Sequence, residues 1–160
     1  MGKDTLCAAI AEKYRVMNVS SVDPIKEIAR GFGWNGEKDM RSRRFLAELK
    51  EAFINYCDLP TKYLCGKAEE FLRGEDEVMF VHIREPKEIA AFREAIRPAE
   101  CKTLLVRRDS LHAGEKYGNS ADDDVENFEY DLTFNNDLPL EESKREFKKL
   151  ITGIIEGRGN

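Results

Sequence analysis

Two hydrophobic rhythms alternate along the chain. From Lys3 to Tyr14 the apolar residues Leu6, Ile10 and Tyr14 recur at a four-residue step, which predicts an amphipathic helix. RVMNVSS (residues 15–21) predicts a short strand. Asp23-Pro24 then predicts a helix start, an acidic N-cap followed by proline in the first turn. That helix runs through Ile25–Arg30 and stops at Gly31-Phe32-Gly33. A longer helix is expected from about Lys38 to Cys57, with Phe45, Leu49 and Phe53 spaced for a buried face. Beyond Leu59-Pro60 another helix runs to Arg73 and ends at Gly74.

The second half repeats the alternation. VMFVHI (78–83) is a nearly continuous apolar run, which suits a strand buried on both faces of a parallel sheet. Glu85-Pro86 opens a helix that reaches about Ile96 and closes at Arg97-Pro98. KTLLVRR (102–108) and YDLTFNN (130–136) predict two further strands, and Leu140–Glu156 a closing helix. Residues 109–124 are polar and rich in Gly, Asn and Asp, a long excursion of the kind that often serves as a lid. Strands alternating with helices imply an α/β domain with a mostly parallel sheet.

Length and charge narrow the class. A chain of 160 residues makes one domain the default, large enough for a real core. The net charge of -5 gives no sign of a nucleic-acid partner, although basic residues can still cluster locally. No apolar run approaches the roughly 20 residues needed to span a bilayer. The first turn region carries Lys3, Asp4, Glu12, Lys13 and Arg15 and does not read as a signal peptide. The cysteines at 7, 57, 65 and 101 form no CxxC and have only His82 and His112 for company, so a zinc site is not expected. Reduced, mostly buried thiols in a cytoplasmic protein are the expectation.

The chemistry begins at MGKDT. Gly2-Lys3-Asp4-Thr5 has the form of the closing half of a phosphate-binding loop, running straight into a helix. Such a loop works because backbone N–H groups and a helix N-terminus face the phosphate oxygens. The lysine adds a charge, and the following hydroxyl holds magnesium. Ordinary capping also produces a helix that begins Gly-Lys-Asp-Thr. Arg84 follows the apolar run 78–83, at the strand end where open α/β sheets place their ligands. Its planar fork suits a phosphate. His82, inside the strand, reads as a hydrogen-bonded structural histidine.

These segments, SSVDPIKEIARGFGWNGEKDMRSRRFL (20–46), VHIREPKEI (81–89) and LLVRRDS (104–110), together with GKDT, resemble the deoxynucleoside monophosphate kinase branch of the P-loop nucleotide kinases. The likeness spans about residues 2–150. It implies a three-layer P-loop kinase-like domain, with a helical acceptor-binding region at about 23–74 and a short lid at about 108–124. It also implies ATP- and Mg²⁺-dependent phosphoryl transfer to a nucleoside or deoxynucleoside monophosphate.

By the same resemblance, Gly2, Lys3, Asp4 and Thr5 would hold the donor phosphates, with Thr5 or Asp4 reaching Mg²⁺ directly or through water. Arg107 and Asn136 would also face the donor, Asn135-Asn136 lining its adenine or simply forming a turn. Asp23, Trp34, Arg43 and Arg84 would face the acceptor, and Lys3, Arg84 and Arg108 the transferring phosphoryl group. Asp23 also serves as a plain N-cap, and Trp34 suits core packing as well as base stacking. Arg41, Arg43 and Arg44 fit a solvated helix face, or a phosphate site in which Arg43 is the ligand. His112 and Lys116 would assist in the lid, where Asp122, Asp123 and Asp124 offer counter-charges.

What the family has and this sequence lacks is the first strand and the glycine-rich start of the loop. That strand would lie centrally, between 78–83 and 102–108. Its absence is expected to leave two facing strand edges unpaired, and the chain is expected to be an N-terminally shortened version. The alternatives are a replacement strand, from elsewhere or from a partner, or an abnormal sheet. Three functional readings therefore follow: the nucleotide kinase, a P-loop-derived nucleotide-binding or regulatory domain without catalysis, and a kinase of another small phosphorylated metabolite. In each the partners are small nucleotides or metabolites, with neither nucleic acid nor membrane.

Overall fold

The computed structural model describes residues 2–108 and 125–157. Among them are α1 (Lys3–Ile10), β1 (Val16–Ser20), α2 (Asp23–Gly31), α3 (Met40–Cys57), α4 (Leu59–Arg73), β2 (Val78–His82), α5 (Pro86–Ala95), β3 (Leu104–Arg107), a 3-10 turn (Val125–Asn127), β4 (Leu132–Asn135) and α6 (Leu140–Glu156). The α/β alternation expected from the sequence is present, and both strand pairs are parallel. No helix among the described residues is long and apolar enough to cross a membrane. The expected excursion at 109–124, with His112, Lys116 and Asp122–Asp124, lies outside the described residues.

The strands do not form one sheet. β1 pairs with β2 from Val16↔Val78 to Ser20↔His82, and β3 pairs with β4 from Leu104↔Leu132 to Arg107↔Asn135. Among the described residues the result is two sheets of two strands each. Strand alternation sends Val16 and Phe80 to one face of the first sheet, and Met17, Val19, Met79 and Val81 to the other.

Each face meets a different set of helices. Leu6 and Ile10 of α1 and Phe147 and Ile151 of α6 form one cluster with Phe134, and Val16, Phe80, Leu104 and Val106 pack against it. Phe147 bridges the two sheets, its ring centroid 6.3 Å from that of Phe80 and 5.3 Å from that of Phe134. The other cluster joins Val19 to Leu64 and Ala68 of α4 and Phe92 of α5.

Three expectations are corrected. VMFVHI is not buried on both faces: every residue of β2 is only half-buried, because among the described residues it has a strand neighbour on one edge only. The stripe Phe45, Leu49 and Phe53 is not a buried face either. Phe45 is 44% exposed, Leu49 and Phe53 are half-buried, and Ser42 is the one buried residue of α3. Finally, Asp23 is not the N-cap of α2. Val22 holds that position, and the Asp23 carboxylate instead accepts from the Ser20 amide at 2.7 Å. This ties the end of β1 to the turn that follows it.

Candidate functional site

The start of α1 and the carboxyl ends of the strands come together. Gly2 sits at φ 83°, a left-handed conformation that glycine adopts without steric cost. A Cβ on Gly2 would also lie 2.9 Å from the side-chain nitrogen of Asn136, so the close approach depends on its absence. Asn136 is buried, and its backbone amide donates to the carbonyl of Arg107 at 2.7 Å. The N-terminal turn of α1 thus meets the end of the β3–β4 pair through Gly2 and Asn136.

It also meets the end of the β1–β2 pair. Lys3 and Asp4 lie near enough for their charges to be felt by His82, the last residue of β2. His82 lies with Nε2 2.5 Å from Asn18 Oδ1. An amide oxygen only accepts, so the ring carries its proton on Nε2 and keeps Nδ1 as an acceptor. Burial pushes the imidazole below its ordinary value and the Lys3 ammonium reinforces this, while Asp4 and Asp23 oppose it. His82 is therefore a neutral, hydrogen-bonded residue, as expected from the sequence. Ser20 Oγ and the Ser21 amide both donate to the His82 carbonyl, at 3.4 and 3.1 Å, closing the strand ends against each other.

Asp4 and Thr5 are exposed in the first turn of α1, and Lys3 is half-buried. Arg84 lies two residues past β2 and is exposed, as are Arg107, which ends β3, and Arg108 after it. Lys3, Arg84, Arg107 and Arg108 thus share the strand-end side with the α1 N-terminus. An array of this kind favours an anion, since helix N–H groups, a left-handed glycine and cations occupy one rim.

Apart from Arg84, the predicted acceptor residues Asp23, Trp34 and Arg43 lie on α2, α3 and the segment between them. Trp34 is half-buried, its Nε1 donating to the Glu37 carbonyl at 3.1 Å. The Arg30 guanidinium lies 5.1 Å from the ring centroid, so a cation–π contact covers the indole. Arg43 is exposed on the first turns of α3, where Asp39 caps the helix by accepting from the Ser42 amide at 2.7 Å. Its neighbour Arg44 pairs with Glu48 at 2.9 Å, the solvated-face arrangement.

The sequence reading passed over one pair. Lys50 of α3 reaches Glu88 of α5 at 2.8 Å, with both side chains largely out of solvent. Glu88 Oε1 is buried without a hydrogen-bond partner among the described residues. Burial raises the Glu88 carboxyl above its ordinary value, against the lowering effect of Lys50. In the sequence Glu88 sits in the first turn of the helix opened by Glu85-Pro86, where it reads as an ordinary acidic first-turn residue. A lysine 38 residues earlier is not linked to it by any sequence pattern.

A groove of 320 Å³ lined by Cys65, Ala68, Leu72, Ile96 and Pro98 lies between α4 and the end of α5 and holds none of these residues. No group of His, Cys, Asp and Glu among the described residues is arranged to hold a metal ion. Comparison with protein-family models, curated proteins and solved structures finds no match.

Proposed function

We propose that the chain is a P-loop kinase-like protein that transfers a phosphoryl group from ATP to a nucleoside or deoxynucleoside monophosphate. The observation that carries this reading is the N-terminus of α1, where left-handed Gly2 opens a helix at the carboxyl ends of parallel strands. In this reading the amides of that first turn and Lys3 bind the donor phosphates. The Arg84 fork takes the acceptor phosphate, and Arg107 and Arg108 neutralise charge on the group in transit. Arg43, Trp34 and Asp23, whose carboxylate accepts from the Ser20 amide at the end of β1, belong to the acceptor side, and Asn136 closes the donor side. The helices on the two faces of the strands supply the outer layers of a three-layer kinase domain.

Asp4 and Thr5 offer a carboxylate and a hydroxyl, hard oxygen donors suited to Mg²⁺. Magnesium commonly keeps phosphate and water among its ligands, so two protein oxygens fit it without a preformed cage. When bound, it would neutralise phosphate charge and align the two substrates.

A second reading rests on the divided sheet: a nucleotide-binding domain without catalysis. With only the closing half of the loop, fewer amides face the donor phosphates. Coupled detection of ADP with a panel of NMPs and dNMPs, run beside calorimetric titration of ATP·Mg²⁺, separates the two. Turnover supports the kinase, ATP binding without turnover supports the second reading, and the absence of both turnover and binding sinks both.

A further inference from the structure

One row of α3 is left largely without cover among the described residues. Phe45, Leu49, Ala52 and Tyr56 follow one another by four, three and four residues, the spacing of a coiled-coil seam. Phe45, Ala52 and Tyr56 are exposed, and Leu49 is half-buried. Ser42 and Lys50 mark the other side of the helix, the one turned toward the protein.

The helix is also charged asymmetrically. Arg41, Arg43 and Arg44 crowd its first turns, the end at which the helix dipole disfavours cations. Its last turn carries no basic residue, and Asp58 stands at its C-cap. Arg44 is answered within the helix by Glu48 at 2.9 Å. Arg41, near Asp39, lies one turn before Phe45 and continues the exposed row.

We infer that this row docks a second copy of the chain, with the two α3 helices antiparallel. A two-fold axis between Leu49 and Ala52 sets Phe45 of each copy against Tyr56 of the other. It also sets Leu49 against Ala52, so a large side chain meets the space left by a small one. The same rotation carries Arg41 past Tyr56 to the other copy's helix end. There Asp58 and the terminal carbonyls supply negative charge. A parallel pairing would bring the two arginine-rich ends together instead. The surface therefore fits its own reverse, since one operation satisfies both the apolar layers and the charged ends. Arg43 lies two residues from Phe45, on the opposite side of the helix, and stays outside the contact. From Phe45 to Tyr56 the row measures only about 16 Å, which makes the interface small and reversible.

Sedimentation velocity of the full chain, up to about 1 mM, tests this. A monomer–dimer equilibrium with Kd of about 10–100 µM is expected. Ala52→Glu should weaken it by about tenfold or more without moving the far-UV circular dichroism of the monomer. Arg41→Glu should weaken it about threefold at low salt and less in about 1 M NaCl. Phe45→benzoylphenylalanine, in a mixture of isotope-labelled and unlabelled chains, should crosslink between copies beside Tyr56. A chain that stays monomeric at the highest concentration overturns the proposal, as does a dimer that Ala52→Glu leaves intact. So does a crosslink from position 45 to a segment of its own copy, or to the arginine end of the other copy's α3.

Discussion

Two helices of nearly equal length behave in opposite ways. α6, 17 residues long, buries Ser143, Phe147 and Ile151 at successive four-residue steps. α3 has 18 residues and a weaker apolar stripe at Phe45, Leu49 and Phe53, but Ser42 alone is buried and Tyr56 is 88% exposed. The difference lies in what each helix is offered. α6 meets apolar side chains of both sheets and of α1. α3 reaches the body of the protein through α2 and α4 and, at its middle, through Lys50 against Glu88. An apolar stripe states what a helix can bury; the neighbouring surface decides what it does bury.

Phe147 is the sharpest probe of that contrast. Phe147→Ala should cost about 3–5 kcal/mol, because the ring fills the junction of both sheets. Phe45→Ala on the exposed helix should stay within about 0.5 kcal/mol. Urea unfolding of the two variants measures both, and equal losses would show that α3 is packed as α6 is.

The ion pair gives the next effect. Lys50→Met leaves the Glu88 carboxylate buried without its partner and should cost about 3 kcal/mol near neutral pH. Adding Glu88→Gln to it should recover most of that loss. The pair also carries a pH signature. Burial raises the folded carboxyl above its ordinary 4.5, so the folded state holds this proton more tightly than the unfolded chain. The associated stability is complete below 4.5 and is lost as pH rises through the folded value. Glu88→Gln should remove that decline from a plot of unfolding midpoint against pH, and an unchanged slope would assign it elsewhere.

The smallest effect belongs to α1, which shares the α6 cluster at its far end. Gly2→Ala forces a Cβ into a left-handed backbone and against Asn136, at a cost of about 1–2 kcal/mol. The loss should appear as fraying of Lys3–Ile10 in hydrogen exchange, with β1 and β2 unaffected. It should also weaken ATP binding if the turn holds phosphate. A substitution silent in both assays would leave Gly2 without a role.

Much of this was legible in the residues. The closing helix was read to its ends, and the pattern located all four strands. Val22 took the cap position from Asp23 because the Asp23 side chain had a nearer donor in Ser20, a competition no spacing rule resolves. The candidate site was legible as separate pieces, Gly2-Lys3-Asp4-Thr5 and the arginines at strand ends. That Asn136 presses on Gly2, and that His82 sits within the field of Lys3, required the folded chain.

The sequence by itself determined the local elements, since the period of apolar residues and the placement of Pro and Gly act over a few residues. It also pointed to the parallel pairing of β1 with β2, because the helices α2, α3 and α4 lie between them in the chain. Only the tertiary structure decided which stripes find a surface, which strand edges stay open and which charge is buried beside which. Those outcomes depend on contacts between residues far apart in the chain, where no periodicity reaches.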